Sequence, residues 1–252
     1  MRILVINPNS SASMTEHIRR ELEAVKGSAT ELTVVNPTDG PPAIESAADE
    51  AHAIPPTLRL VQQAEQDGYD AVVIACFADP GLDAAREIAS IPVVGIEESA
   101  LHVAAMLGHR FTVLTARSER VPAKIDHVAR LGLQSRLASI RALGMGVLEM
   151  EADAERASAR ILEVGRAAVE EDGAEVLVLG CAGLAGQTSE LARLLHVAIV
   201  DPTPVALKVA ELLVDLRLAH SKRALYATPA NSANGATAIR MASVAGTVNT
   251  VN

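Results

Sequence analysis

The chain has no tryptophan, only two tyrosines and two phenylalanines, and only two cysteines in 252 residues. A core must therefore be built from Val, Leu, Ile and Ala. Positive charge is also short: 22 Lys and Arg stand against 31 Asp and Glu, a formal net charge of −9. Nucleic-acid binding needs clustered cations to neutralise phosphates, and anionic lipid needs a basic patch; neither is expected here. No stretch approaches the roughly 18 apolar residues of a membrane span. The apolar run at residues 3–6 ends at Asn7-Pro8-Asn9 and is too short for the core of a secretory signal. A cytoplasmic setting is expected, in which thiols stay reduced. The seven histidines show neither H-x-H nor H-x-x-x-H spacing, so no metal site is expected. Gly144-Met145-Gly146 is too short for a dinucleotide fingerprint, and neither a Walker A sequence nor a Gly-x-Ser-x-Gly elbow occurs. No cofactor is expected.

What is present is a regular alternation of apolar strand-like runs and amphipathic helices. Strands are predicted at 3–6, 31–35, 71–75, 92–95, 111–114, 139–143, 176–179 and 198–200. Helices are predicted at 13–26, 54–66, 82–89, 97–107, 123–131, 152–171, 189–195 and 204–220. Residues 38–50 read as a long loop around Gly40-Pro41-Pro42. The helix after it is expected to open near Pro55-Pro56, because proline is tolerated in a first turn. Asp79-Pro80 reads as the cap of the helix at 82–89. Fully apolar strands joined by helices imply parallel sheets covered on both faces. The pattern restarts near residue 110, where Arg110-Phe111-Thr112-Val113-Leu114 repeats Arg2-Ile3-Leu4-Val5-Ile6. The fold expected is α/β with two pseudo-symmetric lobes, each a parallel sheet flanked by helices. Residues 1–97 plus 206–225 form lobe one, residues 98–205 form lobe two, and the last helix crosses back to lobe one. Residues 226–252 lose the periodicity and read as a disordered tail, with a docked arm as the alternative.

The two cysteines occupy equivalent places. Cys76 follows Ala71-Val72-Val73-Ile74-Ala75, and Cys181 follows Val176-Leu177-Val178-Leu179-Gly180. Asp-Gly precedes each run, at Asp67-Gly68 and Asp172-Gly173. A lone cysteine is most often a small, inert core residue. A matched pair at the carboxyl ends of two equivalent strands reads differently, because ligands of open α/β sheets bind there. Facing lobes would put both thiols in the cleft between them, a common pocket location. Inverting a carbon centre requires a base on one face and an acid on the other. A thiol suits both roles, with a free pKa near 8.5. A helix N-terminus beyond each cysteine would favour the thiolate. The N–H groups of Phe77, Ala78, Ala182 and Gly183 are placed to bind a developing enolate oxygen.

These motifs resemble the aspartate/glutamate racemase superfamily, and within it the hydantoin and allantoin racemase group. The matching residues are Ile6-Asn7-Pro8-Asn9-Ser10, Gly40-Pro41-Pro42-Ala43-Ile44-Glu45-Ser46, Cys76-Phe77-Ala78-Asp79-Pro80-Gly81-Leu82 and Gly180-Cys181-Ala182-Gly183. The resemblance covers about residues 1–220. It implies a cofactor-independent racemase of 5-substituted hydantoins or allantoin, with Cys76 and Cys181 catalytic, a small cyclic ureide as partner, and self-association into a homo-oligomer. The amino-acid racemases of the superfamily typically place Asn-Thr and Thr-His after their cysteines. Here Phe77-Ala78 and Ala182-Gly183 stand instead, and such neighbours suit a neutral ureide better than a charged amino acid.

Further substrate-contact candidates are Asn9 and Ser10 at the end of the first strand and Ile44 in the long loop. Thr115, Ser118 and Val121 occupy the matching edge of lobe two. An amino-acid racemase, a one-cysteine decarboxylase of the same superfamily and a two-lobed ligand-binding protein are the competing readings. The neighbours of the cysteines disfavour the first. The paired thiols disfavour the others.

Overall fold

The strands that carry the cysteines are apolar on both faces, and both faces are covered. The computed structural model describes residues 1–181, 188–230 and 248–251. In the first sheet β1 (Arg2–Ile6) lies between β2 (Glu31–Pro37) and β3 (Ala71–Ile74), and β4 (Val93–Gly95) follows β3; all these pairs are parallel. In the second sheet β5 (Phe111–Thr115) lies between β6 (Leu137–Ala142) and β7 (Val176–Gly180), and β8 (Ala198–Val200) follows β7, again all parallel. The two strand orders are the same. The expected pair of pseudo-symmetric parallel sheets is therefore what the chain forms. Every residue of β3 and β5 is buried, as strands sandwiched between helix layers must be.

The helices are α1 (Ala12–Val25), α2 (Ala47–Gln66), α3 (Leu82–Ile88), α4 (Ile96–Leu107), α5 (Val121–Arg130), α6 (Val147–Ala152), α7 (Ala154–Asp172), α8 (Thr188–Leu195) and α9 (Pro202–Asp215). α9 lies against α1, α4 and β3, and its Ala206, Leu207 and Ala210 join Ile18, Leu22, Leu101 and Ala104 in one core. That core reaches Phe111 and Val178 of the second sheet, so the sheets share buried apolar surface as well as a cleft.

Three local expectations change. α2 begins at Ala47, not at the proline pair. Ser46 and Asp49 form a reciprocal capping box there, and Pro55 and Pro56 fall inside the helix. The helix continues through two missing N–H donors because its buried face, from Ala53 to Ala64, is anchored on both sides of the prolines. The helix expected over 152–171 is α7, which starts two residues later than expected: Asp153 caps it, its carboxylate accepting from Arg156 N–H at 3.0 Å, and the short α6, absent from the prediction, precedes it. Asp79 caps a different helix from the one next to it. Its carboxylate accepts from the N–H groups of Glu97 (3.0 Å) and Glu98 (2.8 Å), at the start of α4. Its own backbone has φ 45°, and α3 opens instead at Gly81, φ 73°. Gly95 makes the long-range cap possible: a Cβ there would lie 2.4 Å from the Asp79 carboxyl.

In the segment expected as a disordered tail, β9 (Val248–Val251) pairs antiparallel with β2 at the edge of the first sheet. Residues 231–247 and 252 lie outside the described residues.

α1 and α9 meet at a carboxyl pair. Burial pushes Glu21 well above the ordinary carboxylate range, and the charge of Asp201 pushes the same way. Asp201 is also raised by burial while it caps Thr203 N–H. The folded chain thus holds a proton that the unfolded chain releases near its ordinary pKa. Stability is retained below that value and lost as pH rises through the elevated one. Glu21→Gln keeps a donor toward Asp201 and cannot ionise. Its stability relative to wild type is expected to be near zero at pH 4.5 and to grow to about 1–3 kcal/mol by pH 9. Paired thermal melts at the two pH values check this; a difference independent of pH would contradict it.

Candidate active site

Both thiols open onto one cavity. In the first sheet Ile6 is in register with Ile74, and in the second Thr115 is in register with Gly180. Cys76 and Cys181 therefore emerge just past the carboxyl ends of equivalent strands. The cavity, about 60 Å³, is bounded by both cysteines and by residues of both lobes. That is several times the roughly 10–15 Å³ one water needs, and it suits a small compact ligand. Neither cysteine is in a disulfide; Cys76 is half-buried and Cys181 is buried.

Of the residues singled out from the sequence, Asn9, Ile44, Phe77, Ala78 and Thr115 line this cavity with the thiols. Ser10, Ser118 and Val121 do not line it. Ser10 is turned to the loop, its N–H donating to the Pro41 carbonyl. Ser118 bonds Glu119 in a single 3₁₀ turn, and Val121 starts α5. Ala182 and Gly183 lie outside the described residues.

Asn9 is held rigidly. Its Oδ1 accepts from Asn7 Nδ2 (2.8 Å) and Ser11 N (2.9 Å), and Asn7 is tied in turn to Thr15. Asn9 Nδ2 meets only the sulfur of Met14 at 3.2 Å among the described residues. A thioether is a weak acceptor, so this amide is a donor that a ligand can claim. No hydrogen bond from the N–H groups of Phe77 or Ala78 is present among the described residues.

A set of charged residues that no sequence motif marks also reaches the cavity. Arg117, Arg120 and Lys124 follow one another at i, i+3 and i+7, so the 3₁₀ turn and α5 present them on one side. Each meets a carboxylate from the first half of the chain. Arg117 lies 3.4 Å from Glu45, Arg120 pairs with Glu50, and Lys124 Nζ lies 2.8 Å from Glu97 Oε2. Glu45 also accepts from Val147 N–H at 2.5 Å, which ties the long loop to the start of α6. The first two pairs are still partly open to solvent, which screens them. The Lys124–Glu97 pair is different, because both side chains are less than a tenth exposed. Removing one partner of such a pair costs about 3–5 kcal/mol.

At Cys76 most of the surroundings oppose a thiolate. Burial pushes the Cys76 thiol up, Lys124 pulls it down, and Asp79, Cys181 and Glu50 add to the rise. The helix that follows does not offset this, because α3 begins only at Leu82, six positions later. Asp79 is itself pushed to about 7 by burial and by Glu97, against the N–H groups of Glu98 and Glu97. Burial and these three neighbours thus favour the protonated form of Cys76, and Lys124 opposes them.

The sequence profile of the Asp/Glu/Hydantoin racemase family matches residues 3–210. The hydantoin racemase of Rhizobium meliloti is 42% identical over 229 residues, which is 91% of this chain and 95% of that protein. The structure of allantoin racemase from Klebsiella pneumoniae superposes with a TM-score of 0.88 at 39% identity, covering 91% of this chain and 94% of that one. The allantoin racemase from Pseudomonas fluorescens gives 0.87 at 38% identity, with 91% and 97% covered. Duplicated sheets, a cleft with a thiol from each half, and likeness along nine-tenths of the sequence agree. This chain is a racemase that belongs to the Asp/Glu/Hydantoin racemase family.

Proposed function

We propose that the chain racemises 5-substituted hydantoins by moving the C5 proton between Cys76 and Cys181, without a cofactor. The observation that carries this reading is that the two thiols, one from each lobe, border the same cavity. A planar ring held between them is addressed from both faces. One sulfur, as thiolate, removes the C5 proton. The carbanion delocalises into the C4 carbonyl, and the N–H groups of Phe77 and Ala78 are at hand for the enolate oxygen. The other sulfur, as thiol, protonates the opposite face. The thiol-favouring surroundings of Cys76 make it the donor at rest and the base once its proton has gone.

The cavity also bears on substrate charge. Arg117, Arg120 and Lys124 each face a protein carboxylate. A free amino acid would have to displace one of these, whereas a neutral ureide need not. The likeness to allantoin racemases supports a second substrate, allantoin, which is a hydantoin with a ureido group at C5. Polarimetry on benzylhydantoin, isopropylhydantoin, allantoin, aspartate and glutamate tests the assignment. Loss of rotation is expected for the cyclic ureides, with the alkyl and benzyl hydantoins ahead of allantoin. Racemisation of aspartate or glutamate with the hydantoins untouched would overturn it.

A further inference from the structure

We propose that Lys124 is a positioning residue that brings Cys76 into its proton-accepting form, and that Glu97 sets how strongly it does so. The inference deepens the two-thiol reading and rests on it. Lys124 is 6% exposed and borders the cavity beside Cys76. Three contacts fix its ammonium. It donates to the backbone carbonyl of Phe77, the residue next to Cys76; it donates to Glu97 Oε2 at 2.8 Å; and it sits 5.0 Å from the centre of the Phe77 ring. It therefore crosses from α5 of the second lobe to the cysteine loop of the first.

The charged and titratable groups that act on Cys76 come from every side. Lys124 faces it from α5, Asp79 from the loop that follows, Cys181 from the end of β7, and Glu50 from α2. Three of these oppose a thiolate, and Lys124 alone among them favours it. Arg120, the next cation, is taken up by Glu50. Glu97 is the brake on Lys124. The same Oε2 also meets His127 Nδ1 at 2.9 Å, while Glu97 Oε1 is buried with no partner among the described residues. Burial alone would raise Glu97, yet Lys124 and His127 hold it ionised. A carboxylate kept charged in such a place offsets part of the ammonium's field at the sulfur.

Two substitutions should then act in opposite directions. Glu97→Gln keeps an acceptor for Lys124 but removes the counter-charge. Lys124→Met removes the ammonium, and because it strands a buried carboxylate it is made together with Glu97→Gln, so that no uncompensated charge remains. All are placed in a Cys181→Ser background, and the alkylation of Cys76 by iodoacetamide is followed by mass against pH. Glu97→Gln is expected to speed alkylation at pH 8 and lower its pH midpoint. The Lys124→Met/Glu97→Gln pair is expected to slow it about tenfold or more, the effect of one pKa unit, with Lys124→Arg retaining most of the wild-type rate. A midpoint unmoved in Glu97→Gln, or a wild-type profile in the folded double variant, overturns the inference. Cys76→Ser alone separates the two levels. Wild-type racemisation in that variant would sink the two-thiol reading. Its loss, together with an unmoved alkylation profile, would sink only the role of Lys124.

Discussion

Replacing either Cys76 or Cys181 by serine is expected to lower racemisation of a hydantoin by about 10²–10⁴-fold or more, the range a positioned acid–base group contributes. A serine hydroxyl fits the same space but does not ionise near neutral pH, so one face of the ring loses its proton carrier. The fold should survive, because neither thiol is cross-linked. Equal melting temperatures with lost optical activity change would be the expected pair of results. Wild-type turnover in a Cys76→Ser protein would show that this sulfur is not required.

The second large effect concerns a residue with no side chain. Gly180 ends β7 and precedes Cys181, and it runs against the backbone of β5. A Cβ at this position would lie 2.5 Å from the Leu114 carbonyl oxygen and 3.1 Å from the Thr115 Cα. Both are backbone atoms inside a sheet, so neither can swing aside, and overpacking of this kind costs about 1–3 kcal/mol. The strain falls on the strand end that presents Cys181, next to Thr115 of the same cavity. A displacement of about 1 Å at a reacting group can cost on the order of a hundredfold in rate. Gly180→Ala is therefore expected to lower kcat about a hundredfold or more while leaving most of the far-ultraviolet circular dichroism. Steady-state kinetics beside a thermal melt check it. Unchanged kcat would mean that the end of β7 does not fix the position of Cys181.

The architecture was legible because its signals are local. Runs such as Ala71-Val72-Val73-Ile74 can only be strands buried on both faces, and their recurrence about 105 positions later marks the second sheet. The cysteines were legible for the same reason, since each closes one of those runs. The start of α2 was legible too: Ser46-x-x-Asp49 is a capping box, outweighed in the sequence by the more visible Pro55-Pro56. What escaped depends on how distant parts of the chain dock. Arg117, Arg120 and Lys124 look like a solvated helix face until Glu45, Glu50 and Glu97 arrive opposite them. Asp79 stands beside Pro80 and a following helix, yet its partners are eighteen and nineteen positions away. The Cys76 thiol is pushed up by burial and by three neighbours on separate elements, which no spacing rule contains.

Enantiomer-resolved hydrogen exchange at C5 is the most direct test of the two-thiol account. Each pure enantiomer of a hydantoin is incubated in deuterium oxide with Cys76→Ser or Cys181→Ser, and C5 deuteration and configuration are read by proton NMR and chiral chromatography. The account predicts that each variant deuterates one enantiomer with retention, and that the two variants choose opposite enantiomers. Exchange of the same enantiomer by both variants, or inversion by either one alone, would contradict it.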